Sequence, residues 1–203
     1  MKTLKLWLYF SYLLFTGKLS VKTLQDTINT GKDVSKKAVE KWQSEKLRYA
    51  GSVTTDPQQN LDFFEFFKDR KGLWIWEGFT KNVLKYVTGI VEKIGSITAY
   101  YFDMKDTLSD SEISRELPKD YEFGLIEGLA LIVWLLLKQW GGKEGALLND
   151  GNANIFHLKV LNGVVVVSVH WLAGNGGWDV DDWWFGGSGR WDAGSRVFSR
   201  IPV

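Results

Sequence analysis

Residues 154–171 read NIFHLKVLNGVVVVSVHW, and this stretch decides the predicted fold of the C-terminal part of the chain. Apolar and polar side chains alternate over residues 154–160, which is typical of a strand with one buried face. The Asn162–Gly163 pair predicts a tight type I′ hairpin turn, because both residue types tolerate positive φ. The β-branched run after it predicts the return strand, over residues 164–171.

Glycine-rich turns divide the rest of the C-terminal part into further strands. Residues 174–177 and 186–189 are such turns, so a third strand is predicted over residues 178–185. Residues 196–201 are expected to form a fourth. We therefore predict a small antiparallel meander of three or four strands within residues 149–203. Such a meander buries little apolar surface alone, so it must pack on another element or close its core with tryptophans.

Two motifs in this region resemble a known group of sequences. Residues 148–156 read LNDGNANIF and residues 191–200 read WDAGSRVFSR, with a tryptophan after the hairpin and a Gly-Trp pair between them. Together they resemble a Trp- and Gly-rich C-terminal module of uncharacterised bacterial proteins that have varied N-terminal regions. The resemblance covers about residues 148–203, and it implies a separable module with no assigned activity.

The N-terminal region shows helical periodicity. Apolar residues recur every three or four positions over residues 20–49 and again over residues 79–101, which predicts two amphipathic helices. The apolar run over residues 129–137 predicts a helix that is buried on all sides. The predicted fold class is therefore α+β, with a helical bundle-like region over residues 1–142 followed by the β meander over residues 149–203.

Shorter motifs in the same region predict two further helices. The phenylalanine-rich residues 61–67 favour a short helix packed on the core, because four exposed phenylalanines would form an aggregation-prone patch. Ser109 and Glu112 match the spacing of a capping box at the start of a second short helix, which Pro118 would end.

The apolar run from Leu6 to Phe15 follows two lysines, and it has more than one interpretation. It is too short to cross a bilayer, which needs about 20 apolar residues, and no small-x-small cleavage site follows it. A buried or interfacial helix, a signal and an anchor all fit. The compartment is therefore left open between the cytoplasm and a membrane surface, with secretion if residues 1–17 act as a signal. Residues 123–137 also have an alternative to a buried helix, which is a hydrophobic hairpin embedded in a bilayer.

The composition excludes several classes of site. The chain of 203 residues has no cysteine, which excludes disulfides, thiolate catalysis and cysteine-ligated metals. Its 25 basic and 24 acidic side chains leave a formal net charge of +1, so no global field favours nucleic acid. We predict neither a metal nor another cofactor.

Tryptophan is the most unusual feature, with eleven in the chain. Core packing explains most of them, but indoles left outside the core would form a platform for a sugar ring or a peptide, with nearby polar groups supplying hydrogen bonds. The candidate ligand-binding residues are Trp171, Trp183, Asp182, Arg190 and Trp191.

Other candidate groups are weaker. Asp179, Asp181 and Asp182 have two possible roles: two of them would form a carboxylate pair for acid–base chemistry, or their oxygens would be calcium ligands. Alternation along a strand separates Asp182 from the other two, so the three do not converge. Solubilising charge on an edge strand is the favoured interpretation. His157 and His170 are expected to be partly exposed, with a cross-strand metal-binding or pH-sensitive pair as the alternative.

No motif assigns an activity, and three functional hypotheses follow. The leading one is a non-enzymatic binding protein whose β module recognises a protein or a carbohydrate. The second is a membrane-associated helical protein in which the β module is a structural cap. The third is a hydrolase that uses Asp181 or Asp182.

Overall fold

The computed structural model describes residues 44–200, in which stretches rich in β-branched and aromatic residues form strands. These strands are β1 (Leu47–Thr54), β2 (Gln58–Leu61), β3 (Leu73–Ile75), β4 (Val91–Ile94), β5 (Thr98–Met104), β6 (Phe123–Gly124), β7 (Asn154–Val160), β8 (Gly163–Leu172), β9 (Gly177–Trp184) and β10 (Arg196–Ser199). The helices are α1 (Phe63–Phe66), α2 (Glu77–Asn82), α3 (Asp110–Glu116) and α4 (Leu125–Lys138), and a 3-10 turn at Leu84–Tyr86 follows α2.

One large mixed sheet dominates the described part of the chain. Its strand order is β1-β5-β10-β7-β8-β9-β3, with β6 beside β7, and β2 and β4 form a separate two-stranded sheet. Strands β10 and β6 run parallel to β7, and β3 runs parallel to β9. Because β1, β3, β5 and β6 all come from the region predicted to be a helical bundle, that prediction is wrong.

The predicted helix over residues 79–101 is wrong for a local reason. The helical pattern holds only through α2 and the 3-10 turn, where Phe79, Val83 and Leu84 are buried. The chain leaves the helical conformation at Val87, which is extended with a ψ of 134°, and it then passes Gly89, at a φ of 68°, into β4 and β5. The predicted helix over residues 20–49 lies mostly outside the described residues, as does the apolar run Leu6–Phe15.

The prediction of a separate small β meander is also wrong. Strands β7, β8 and β9 are joined by successive antiparallel hairpins, but they lie inside the large sheet, between β10 and β3. The turn between β7 and β8 consists of Leu161 and Asn162, and Gly163 begins β8 with a φ of 137°. Among the described residues other than glycine, only Asn60 and Asp120 have positive φ, so the predicted type I′ turn is not formed.

Helix α4 lies against one face of the sheet, which we call the helix face. Most of its apolar side chains pack with Phe156, Trp178 and Phe198 in a single buried cluster, but Leu137 is 58% exposed, so the helix is not buried on all sides as predicted. Gly128 allows the close approach, because a Cβ there would lie 2.2 Å from Cδ2 of Leu158. Within residues 44–200, no helix is both long and apolar enough to cross a membrane.

The opposite face of the sheet carries the second apolar layer, and we call it the site face. Alternation in β7 turns Ile155 and His157 to this face, and both are fully buried. Helix α3 packs here and begins with the predicted capping box, in which Ser109 and Glu112 satisfy each other's backbone N–H groups. The sheet and α3 thereby bring Asp110, the first residue of the helix, to His157.

Candidate functional site

A buried carboxylate is the centre of the candidate site. Oδ1 of Asp110 lies 3.1 Å from Nε2 of His157 and accepts a hydrogen bond of 2.9 Å from Nε1 of Trp191. Asp110 is only 5% exposed and His157 is completely buried. Three residues that are far apart in the sequence are therefore joined through one oxygen atom.

The hydrogen bonds determine the orientation of this group. Nδ1 of His157 is buried and has no hydrogen-bond partner. With a proton on Nε2, the imidazole donates a hydrogen bond to Oδ1 of Asp110. Both neighbours of Oδ1 are then donors, and together they hold the Asp110 side chain in one orientation.

Aromatic rings enclose the imidazole. The rings of Tyr121 and Phe185 meet that of His157 edge to face, with centroid distances of 5.2 and 5.7 Å. Burial also raises the pKa of Tyr121 above its usual value. The imidazole is therefore held rigidly, and it fixes the orientation of the Asp110 carboxylate.

Beside this carboxylate lies a cavity of about 300 Å³, which we call the tryptophan pocket. Its walls meet at a corner, because the Trp183 and Trp191 rings are 5.6 Å apart with an interplanar angle of 76°. Nε1 of Trp183 donates to Oγ of Ser168 at 3.2 Å, so the N–H groups of both indoles bind protein atoms. The residues that line the pocket are Asp110, Trp183, Trp184, Gly187, Ser188, Gly189, Arg190 and Trp191.

The positive charge at the pocket wall is locally balanced. Nη2 of Arg190 donates to the Thr107 carbonyl oxygen at 2.7 Å and lies 2.8 Å from Oε2 of Glu112. Hydrogen bonds from the backbone N–H and the hydroxyl of Ser109, together with the nearby Arg190 charge, lower the pKa of Glu112. Arg190 and Glu112 therefore form an ion pair beside Asp110.

The structure brings together three of the five residues predicted to bind a ligand. Trp183, Arg190 and Trp191 line the tryptophan pocket. Trp171 lies on the helix face, where its ring centroid is 5.2 Å from that of Trp178. Asp182 also points to that face and accepts a hydrogen bond of 3.0 Å from Nδ2 of Asn82.

Asp110 and His157 are the site residues that sequence reasoning missed. The capping box predicted the position of Asp110 in a first helical turn, but no local signal indicated its partners. The expectation of partly exposed histidines is wrong for His157, because residues from α3 and the loop after β9 cover it. The two histidines are not cross-strand neighbours, since Val166 is the partner of His157 in β8.

The three aspartates of β9 do not converge on one point. Asp179 accepts hydrogen bonds of 2.9 and 3.0 Å from Nε1 of Trp76, while Asp182 bonds to Asn82 on the opposite face. Oδ1 of Asp181 accepts a hydrogen bond of 2.8 Å from the backbone N–H of Asp182. Across residues 44–200, no three histidine, aspartate or glutamate side chains are placed to share a metal ion.

We expect the change Asp181→Asn to stabilise the protein at pH 7. Burial, and then the charges of Asp182 and Asp179, raise the pKa of Asp181 in the folded protein. The folded state therefore holds this proton more tightly than the unfolded state, and stability is lost as the pH rises through the folded-state pKa. Removing the charge should add about 0.5 kcal/mol to the free energy of unfolding at pH 7.

Urea unfolding at pH 7 and pH 3 would measure this effect. At pH 3 the gain should be much smaller, because Asp181 is then largely protonated in both states. Asp192→Asn, which changes an exposed carboxylate in the neighbouring loop, is the control and should have little effect at either pH. A variant that is equally stabilised at both pH values would refute the electrostatic explanation.

Comparison with known proteins gives no match. No protein-family model matches it, and no similar protein is found among curated proteins or solved structures. The resemblance of residues 148–203 to a Trp- and Gly-rich bacterial module stays a prediction. The function is therefore inferred from the chemistry of the tryptophan pocket.

Proposed function

We propose that this protein is a binding protein that takes a compact small molecule into the tryptophan pocket. One observation carries the proposal: the Trp183 and Trp191 indoles form a corner beside the buried carboxylate of Asp110. The volume of about 300 Å³ is at the lower end of the range for small-molecule sites. Apolar walls with one oriented polar group are typical of such sites.

Rigidity of the walls supports binding over a structural role for these indoles. Trp191 is only 9% exposed, but Trp183 is 48% exposed and therefore retains a large accessible surface. Both rings are held by hydrogen bonds through Nε1, to Asp110 and to Ser168. A wall that is already ordered loses little conformational entropy when a ligand binds.

The position of His157 supports binding over proton transfer. The imidazole is completely buried, and its one hydrogen bond runs to Asp110. A general base has to reach the proton that it removes, and this ring lies behind the carboxylate. The pair therefore orients an acceptor oxygen at the pocket wall.

A fragment screen by NMR would test the proposed function. The indole N–H signals of Trp183 and Trp191 would be assigned with single variants and followed against neutral, cationic and anionic fragments. We expect hits that shift both signals and bind at least about tenfold more weakly to Trp183→Leu, because one wall of the pocket is then lost.

Trp76→Phe is the matched control, since Trp76 is 57% exposed and binds Asp179 away from the pocket. It should leave the affinity of the hits unchanged. The proposal is refuted if no fragment shifts the Trp183 and Trp191 signals, or if the hits bind Trp183→Leu as tightly as the unchanged protein.

A further inference from the structure

We propose that the ligand of the tryptophan pocket is a small organic cation, with an alkylated ammonium group that lies in the corner formed by the Trp183 and Trp191 rings and faces Asp110. This inference rests on the proposed function and names the ligand class. It follows from the charge of the pocket, from the shape of its walls and from the hydrogen-bonding capacity of the carboxylate.

The charge of the pocket comes from Asp110. Oδ1 is occupied by His157 and Trp191, and Oδ2 accepts no hydrogen bond from the described residues. Asp110 lines the cavity, so Oδ2 is the carboxylate oxygen available to a ligand. The imidazole of His157 contacts Oδ1 and therefore leaves Oδ2 accessible from the pocket side.

Arg190 does not neutralise the negative charge of Asp110. Its guanidinium is paired with Glu112 at 2.8 Å and bound to the Thr107 carbonyl oxygen at 2.7 Å. Glu112 also lies 3.8 Å from Nζ of Lys46, but neither Lys46 nor Glu112 lines the pocket. Asp110 is therefore the acidic group that a ligand in the pocket meets. An anionic ligand would therefore meet a negative wall, whereas a cation would gain a counter-ion that is already desolvated.

The shape of the walls suits a rounded cation better than a flat ring. The two indole planes meet at 76°, so they form a corner that a compact group can touch on both sides. An ammonium group with alkyl substituents is attracted to the electron-rich face of an indole, and tryptophan is the best ring for this contact. A sugar ring stacks flat on one aromatic face and would use only one wall of the corner.

Choline is the cationic probe for the test, and 3,3-dimethylbutan-1-ol is its uncharged analogue of nearly the same shape. Methyl glucoside represents a carbohydrate. Each would be titrated into the full chain while the indole N–H signals of Trp183 and Trp191 are followed by NMR. We expect choline to shift both signals and to bind at least tenfold more tightly than the neutral alcohol.

Asp110→Asn tests the role of the carboxylate. The amide oxygen can still accept from His157 and Trp191, so folding should be retained, and the Trp191 N–H signal reports whether the contact persists. Choline affinity should fall at least tenfold, while the affinity for the neutral alcohol should hardly change. Asp192→Asn removes an exposed charge from the neighbouring loop and should leave choline binding nearly unchanged.

The outcomes separate this inference from the proposed function. Equal affinity for choline and the neutral alcohol, or an unchanged choline affinity in Asp110→Asn, would overturn the cation proposal and leave the pocket as a binding site. Tighter binding of methyl glucoside than of choline would replace the cation by a carbohydrate. If choline shifts neither indole signal, the cation proposal is rejected, and the fragment screen alone decides the proposed function.

Discussion

Replacement of Trp178 by alanine is expected to lower the free energy of unfolding by about 3–5 kcal/mol. The Trp178 side chain is fully buried in the cluster between α4 and the sheet. Its Nε1 donates a hydrogen bond of 3.0 Å to the carbonyl oxygen of Gln139, which caps α4. The variant would therefore leave a large cavity, whereas the Gln139 carbonyl oxygen keeps the backbone N–H groups of Gly142 and Lys143 as donors, so the loss comes mainly from packing.

Urea unfolding would measure this loss, with Trp184→Ala as the matched control. Trp184 is in the same strand, but its side chain is 73% exposed. We expect the control to change the free energy of unfolding by less than about 0.5 kcal/mol. Similar losses in the two variants would show that the packing of α4 against β9 is not as described.

Replacement of Asp110 by alanine is expected to cost about 2–4 kcal/mol of folding free energy. Two buried donors, Nε2 of His157 and Nε1 of Trp191, would lose their shared acceptor. Each unsatisfied donor costs about 1–3 kcal/mol, and relief from burying the carboxylate offsets part of the sum. The loop that carries Trp191 should loosen as a result.

Asp110→Asn is the comparison that separates the hydrogen bonds from the charge. It keeps an acceptor oxygen for both donors, so we expect it to cost only about 1 kcal/mol. Urea unfolding and the NMR signal of the Trp191 N–H would follow both variants. If Asp110→Ala unfolds at the same urea concentration as the unchanged protein, the three-residue contact makes no net contribution to stability.

Local features of the fold were predictable because their causes are local. The capping box of α3 depends on Ser109 and Glu112, which are three residues apart, and it forms as expected. The apolar run of α4 is long and continuous enough to indicate a buried helix.

The large sheet was not predictable in the same way. The sequence of β5 has aromatic residues at 100–102 that favour a strand, but its apolar spacing also fits a helix. Its partners decide between the two: Arg48 of β1 lies opposite Asp103, and so does Arg196 of β10. These pairs are 55 and 93 residues apart in sequence, beyond the reach of any window of local periodicity.

Part of the candidate site was predictable from the sequence, and part was not. The excess of tryptophan predicted that some indoles lie outside the core, and Trp183 and Trp191 do line a pocket with Arg190. Neither the face of Trp171 nor the role of Asp110 followed from composition or alternation. Asp110 is 47 residues from His157 and 81 from Trp191, and only the packing of α3 on the sheet brings them together.

The sequence by itself determined the elements whose stabilising contacts are a few residues away: the cap of α3, the apolar character of α4, and a surplus of indoles. Tertiary structure alone decided which strands pair, which face each tryptophan occupies, and that one buried carboxylate lies beside two indole walls. The physical reason is that a strand satisfies its backbone hydrogen bonds on other strands, whereas a helix satisfies them within itself. In residues 44–200, where one mixed sheet dominates, most of the architecture and the candidate site therefore depend on long-range contacts.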